Sequence, residues 1–285
     1  GTLDSLDHVD LTLEPGHIYG LIGRNGAGKT TLLSALTAQT PVDAGTVTYG
    51  GAPVWENEAV LGELCFSREL GSTVGGMNNA LKVKDYLNAG RLFYPHWDEA
   101  YAQKLITQFK LAPKKKISAL SKGMASMLTI VLALASRAPI TFMDEPVAGL
   151  DVVAREDFYR LLLDDYAETG RTFVISTHIL EEASNVFEKV LIMKEGRLIE
   201  ACDADELLAQ FCAVTGRDDV VNEACAGLNI LHTETLGRQK SCVVRVPAET
   251  MAAKGLDVDC TSLPLQKVFV ALCGHEQELQ EHREG

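Results

Sequence analysis

The sequence predicts an α/β fold with a largely parallel central sheet, followed by a smaller α+β region. Three observations carry that expectation. Short apolar runs, Ile18–Ile22, Ile140–Met143 and Thr172–Ser176, alternate with longer segments of helical periodicity. Runs this short and apolar read as strands buried on both faces, which is the habit of parallel sheets. A glycine-rich stretch joins the first run to a helix. After Ala201 the texture changes to short alternating strands such as Ser241–Val246.

Taken in order, Val9, Leu11 and Leu13 share one face opposite Asp10, Thr12 and Glu14, the period of a half-buried strand. Pro15-Gly16 reads as a turn. Ile18–Ile22 is a strand, Thr30–Ala38 a helix, and Gly45–Tyr49 begins another strand. Residues from about 76 to 138 look mainly helical, with helices over Val83–Phe93, Asp98–Phe109 and Lys122–Ser136. Asp98 is placed to cap its helix. Ile140–Met143 is a strand, Val152–Glu168 a helix, Thr172–Ser176 a strand and Ile179–Phe187 a helix. Val190–Lys194 and Arg197–Ala201 form a hairpin around Glu195-Gly196. The expected division is 1–201 for the main domain and 202–285 for the appended region.

Composition bounds the function. The chain has 285 residues, enough for two domains, with 46% apolar and 23% charged residues, so disorder and fibrous classes are excluded. Its 39 acidic against 26 basic residues give −13, a poor balance for coating nucleic acid or anionic lipid. About half of that excess, 14 acidic against 7 basic residues, lies after Ala201. The most apolar run, Met127–Ala135, is nine residues, against the roughly twenty a membrane span needs. The seven scattered cysteines hold no CxxC pair and fit free thiols in a reducing compartment, not a metal site. Lys114-Lys115-Lys116 reads as a solvated connection, and Trp55, Tyr94 and Trp97 as packing residues.

Two segments carry chemistry. Gly23-Arg24-Asn25-Gly26-Ala27-Gly28-Lys29-Thr30 fits G-x-x-x-x-G-K-[ST] between a strand and a helix. Glycines let several backbone N–H groups face one point, and the helix N-terminus adds positive dipole there. Lys29 can reach β- and γ-phosphates, and the Thr30 hydroxyl can ligate Mg²⁺. The second segment is the run Ile140–Met143, which ends in two carboxylates, Asp144 and Glu145. Ligands of open α/β sheets bind at the carboxyl ends of strands. Asp144 is the candidate to hold Mg²⁺, and Glu145 to polarise an attacking water.

With these motifs the chain resembles the nucleotide-binding subunit of ATP-binding cassette (ABC) transporters, over residues 1 to about 200. Leu120-Ser121-Lys122-Gly123-Met124 stands where the family signature, usually LSGGQ, belongs. Val147–Asp151 resembles the D-loop, and Thr177-His178 the switch histidine segment. The resemblance implies a P-loop ATPase core with a helical subdomain, binding ATP and Mg²⁺. It implies phosphate contacts from Gly23 through Lys29, Thr30 and Thr31, and a γ-phosphate contact from His178, which orients the water. Ser121 and Gly123 would face nucleotide held by a second ATPase subunit, identical or different, and Ser121 could equally be a cap for its own helix. Asp151 reads equally as a helix cap. An integral-membrane permease is the implied partner, with the chain peripheral at the cytoplasmic face of the membrane.

The pattern departs from the family in places. Lys122 and Met124 replace the signature's first glycine and its glutamine. The Q-loop glutamine has no direct match; aligning Leu64–Glu69 puts Glu69 there, as a further Mg²⁺ ligand, with Ser67 as the alternative. The chain starts on Gly1, and the aromatic residue that stacks on adenine is expected about one position earlier. Ser262–Gly274 looks like the SLEDVFLxLTG segment that closes ABC-2 exporter subunits, which favours export over import. A soluble ABC ATPase acting on ribosomes or DNA is the other class. Its paired cassettes or coiled-coil insertion are missing here, and no nucleic-acid partner is expected. A binding module with little hydrolysis is disfavoured by Glu145 and His178.

Overall fold

The computed structural model describes residues 5–70 and 81–274. The expected start of the helical region, 76–80, and the end of the appended region, 275–285, lie outside the described residues. The chain divides into two compact units, 1–187 with 193–199, and 188–192 with 200–285.

The first unit opens with β1 (Ile18–Gly23), α1 (Lys29–Leu36), β2 (Thr48–Tyr49), β3 (Ala52–Pro53), α2 (Glu58–Leu61) and β4 (Leu64–Ser67). It continues through α3 (Val83–Phe93), α4 (Glu99–Gln108), α5 (Lys122–Ala135), β5 (Ile140–Asp144), α6 (Val152–Thr169), β6 (Thr172–Thr177) and α7 (Leu180–Ala183). β7 (Lys189–Lys194) and β8 (Arg197–Asp203) follow, and the turn between them, 193–199, belongs to this unit. The order β4-β5-β6-β1 is parallel throughout, with Asp144 opposite Ser176 and Ile22 opposite Thr177. That register brings the carboxyl ends of β1, β5 and β6 level.

The core explains the sequence pattern. Ile18, Leu21, Ile22, Phe173 and Met143 are fully buried in the strands, and Leu128, Ile130 and Leu134 in α5. Helix α5 is buried almost all round, so its apolar run needs no polar face. Asp98 caps α4 by accepting from the Tyr101 N–H at 2.8 Å. Gly20 is required where β1 passes Phe187, because a Cβ there would lie 2.3 Å from the ring.

Three expectations differ. Residues 9–13 keep their alternating burial but form no strand, since no neighbouring strand among the described residues takes up their backbone groups. The strand expected from Gly45 is confined to Thr48–Tyr49. The helix expected over 179–187 is the single turn of α7; the chain then bends at Ser184–Val186 and delivers Phe187 to Gly20. Among the aromatic residues, Tyr94 packs as expected, whereas Trp55 is 46% exposed.

The second unit contains α8 (Ala204–Ala209), β9 (Cys212–Arg217), α9 (Asp218–Ala224), β10 (Ile230–Leu236), β11 (Gln239–Val244), α10 (Ala248–Ala252), β12 (Val258–Ser262) and α11 (Leu265–Cys273). From β9 to β12 the elements run βαββαβ with sheet order β10-β11-β9-β12, antiparallel throughout. This is the ferredoxin-like split βαβ arrangement. Alternate residues Cys212, Val214, Cys242 and Val244 face a core completed by Val221 of α9, Cys225 just after it and Met251 of α10. All seven cysteines are free thiols.

Candidate active site

The site is built at the carboxyl ends of β1, β5 and β6. β1 ends at Gly23, and the loop turns through Gly26 (φ +82°) and Gly28 (φ +100°) into α1. Gly28 also lies where a Cβ would be 2.7 Å from the Ser5 carbonyl oxygen. No side chain caps α1, so its first-turn N–H groups are left for an anion. Lys29 is buried, and its Nζ donates to the Gly23 carbonyl at 2.6 Å and the Arg24 carbonyl at 3.3 Å. Burial lowers the Lys29 pKa below the ordinary lysine value, while Glu145 and Asp144 act to raise it. The ammonium thus rests on its own loop, facing two carboxylates.

The carboxylates are tightly placed. Thr30 Oγ1 donates to Asp144 Oδ2 at 2.7 Å. Ser176 Oγ donates to the other oxygen, Asp144 Oδ1. Glu145 has φ +49°, a left-handed conformation a non-glycine residue rarely holds. Its N–H bonds the Ser176 carbonyl at 3.1 Å and lies 3.3 Å from Ser176 Oγ, which ties that bend to β6. Its side chain accepts from His178, Nδ1 to Oε2, at 2.8 Å. An ionised carboxylate only accepts, so Nδ1 carries the proton of this contact.

These groups open onto a cavity of about 530 Å³ lined by Ser5, residues 25–31, Asp144, Glu145, Glu195 and Gly196. That is within the usual size of small-molecule sites, about 300–1,000 Å³. The Thr30 hydroxyl and Asp144 carboxylate are hard oxygen donors in contact. Mg²⁺ is held by one or two carboxylates together with phosphate oxygens, and this pair fits that habit. Among the described residues no group of three or more His, Cys, Asp or Glu side chains is placed to hold a metal alone. A larger groove of about 970 Å³ runs past Trp55, Leu92 and Phe93 and shares no lining residue with this cavity.

The other residues singled out by sequence lie elsewhere in the protomer. Ser121 caps α5, its hydroxyl accepting from the Met124 N–H at 3.2 Å. Gly123 packs against the D-loop segment, where a Cβ would sit 2.7 Å from the Gly149 carbonyl oxygen. Ser126 Oγ donates to the Ala148 carbonyl at 2.6 Å in the same contact. Asp151 caps α6 by accepting from the Ala154 N–H at 2.9 Å. Glu69 pairs with Lys122 at 3.1 Å and does not line the cavity. Ser67, its alternative, is buried and donates to the Thr129 carbonyl at 3.1 Å. Arg24 serves Lys29 through its carbonyl. Sequence reading missed Ser176, Glu195 and Ser5. A lone serine in the apolar run TFVIST was the one available signal for Ser176.

A glycine-rich loop around a buried lysine, with two carboxylates and a histidine at level strand ends, defines a P-loop nucleoside triphosphatase. Comparison with known proteins narrows the class. The family model for ABC transporters matches residues 6–148, and the chain belongs to that family, whose cassettes are ATPases. It is 31% identical to Nod factor export ATP-binding protein I of Burkholderia lata, over 95% of this chain and 92% of that protein. It is 32% identical to the hemin import ATP-binding protein of Streptomyces coelicolor, over 72% of this chain and 75% of that one. A crystal structure of a nucleotide-free ATP-binding cassette from an ABC transporter superposes with a TM-score of 0.59 at 25% identity, covering 72% of this chain and 88% of that one.

Proposed function

We propose that this chain is the ATP-hydrolysing subunit of an exporter, driving efflux through a separate membrane permease by ATP-dependent dimerisation. The observation that carries the ATPase part is the contact of His178 with Glu145 beside the Thr30–Asp144 pair. Lys29 exchanges the Gly23 and Arg24 carbonyls for the β- and γ-phosphates, and the backbone of residues 25–31 cradles them. Thr30 and Asp144 would hold Mg²⁺ together with the phosphates, and the ion would supply neutralisation of charge on the nucleotide. Glu145 accepts hydrogen bonding from the attacking water and draws its proton, in the manner of a general base. His178 holds Glu145 through its Nδ1. Removing any of these groups lowers turnover through positioning and electrostatics, the main means of phosphoryl-transfer catalysis.

Ser121 and Gly123 are proposed to meet the nucleotide of a second ATPase subunit, which closes on ATP and reopens after hydrolysis. Closure is driven only by the difference in ATP affinity between the two states. No helix among the described residues is long and apolar enough to cross a membrane, so the spanning part is assigned to the permease. Export is supported by near full-length similarity to a Nod factor export protein and by the Ser262–Gly274 segment. The hemin import relative supports the opposite direction as a second reading. The test is reconstitution of the chain with the membrane protein that co-purifies with it. ATP supplied on the side of this chain drives substrate away from that side in an exporter; flux toward it would establish import.

A further inference from the structure

We infer that Ser176 is a positioning residue for the metal and the water, acting through both acidic residues at once. This rests on the Mg–ATP reading of the site. Ser176 is fully buried on β6, in register with Asp144 on β5. Its hydroxyl has one proton, which goes to Asp144 Oδ1. The opposite carboxylate oxygen, Oδ2, is the one that Thr30 touches at 2.7 Å. Asp144, which lines the cavity, is therefore held at one oxygen by Ser176 and at the other by Thr30. When Thr30 turns to a metal, the Ser176 hydrogen bond still anchors Oδ1. The Ser176 hydroxyl oxygen and its carbonyl also receive the Glu145 N–H, at 3.3 and 3.1 Å. That holds the left-handed bend at Glu145 which aims its side chain at His178. One buried serine thus sets the angle between the metal-side and the water-side carboxylates.

Partners that orient a metal-bound carboxylate typically control metal affinity by about 10–100-fold. Ser176 does not touch the loop around Lys29, so nucleotide binding without metal should not depend on it. The experiment compares wild type, Ser176→Ala and Ser176→Thr. Mn²⁺ is titrated into protein loaded with a non-hydrolysable ATP analogue and followed by electron paramagnetic resonance. Calorimetry measures affinity for the same analogue in EDTA. Ser176→Ala should weaken Mn²⁺ by about tenfold or more with the metal-free affinity unchanged, and Ser176→Thr, which keeps the hydroxyl, should recover most of it. Wild-type Mn²⁺ affinity in Ser176→Ala, or a parallel loss of metal-free nucleotide binding, would overturn the inference. Wild-type protein that binds the analogue in neither condition would overturn the Mg–ATP reading itself.

Discussion

His178 Nδ1 lies 2.8 Å from Glu145 Oε2, joining the segment after β6 to the carboxylate after β5. The contact uses the Nδ1 proton of the histidine to hold the carboxylate. Replacing Glu145 with Gln keeps the shape but removes the base. Glu145→Gln should bind ATP as tightly as wild type and turn over at least a hundredfold more slowly, the usual scale for losing general-base help. It should also accumulate as an ATP-dependent dimer on gel filtration. Turnover within a few-fold of wild type would remove Glu145 from the mechanism.

Lys29 is the cation of the site. Its Nζ is satisfied by the Gly23 and Arg24 carbonyls, so the buried charge is kept until phosphate replaces them. Lys29→Ala should lower ATP affinity by at least tenfold, since hydrogen bonds to charged groups contribute about 1.5–3 kcal/mol. Calorimetry with ATP checks it. Unchanged affinity would mean that the loop does not carry the phosphates.

Much of this was legible in the chain. The loop from Gly23 to Thr30 has an unambiguous spacing, and the caps at Asp98 and Asp151 follow from local chemistry that involves only the next three residues. What was not legible depends on register between distant strands. Ser176 looks like any strand serine until β5 and β6 pair and bring Asp144, 32 positions earlier, opposite it. Alignment offers Glu69 as a metal ligand, and its ion pair with Lys122, on a helix 53 positions further along, is visible only in the fold. The appended region was readable as α+β, while its order β10-β11-β9-β12 rests on two pairings between non-consecutive strands, β11 with β9 and β9 with β12. Residues 9–13 carry a strand's alternation without a strand, because periodicity reports which side chains face inward and not which backbone partners exist.

Asp165 and Arg171 form a buried ion pair at 2.7 Å, and Arg137 adds a second contact to the same carboxylate at 2.8 Å. Arg171 also donates to the Leu134 carbonyl at the end of α5 and lies over the Phe173 ring. The pair therefore links α5, α6 and β6. Asp165→Ala would leave two guanidinium groups without their shared counter-ion, one of them fully buried. Losing one partner of such a pair costs about 3–5 kcal/mol. Urea denaturation should show that drop, whereas Asp157→Ala, which breaks the exposed Arg160 pair, should change stability by less than about 1 kcal/mol. Equal effects of the two substitutions would show that the Asp165 cluster is not a structural anchor.

Asp98 connects stability to pH. The Tyr101 N–H holds its carboxyl below the ordinary value, with Arg137 adding to the effect and burial opposing it. A carboxylate whose folded value lies below its unfolded one, about 3.9, stabilises the fold fully above that pH. The contribution is lost as pH falls from there through the lower folded value. Wild-type stability should therefore fall with Asp98 protonation on the acid limb. Asp98→Ala should lose about 1 kcal/mol at pH 7, the usual worth of a helix cap. Asp98→Asn keeps an oxygen for the Tyr101 N–H but cannot ionise, so it should lose less at pH 7 and show a shallower acid limb than wild type. Urea midpoints measured from pH 7 to 3 separate the two effects, and parallel acid limbs for wild type and Asp98→Asn would show that the charge of Asp98 plays no part in stability.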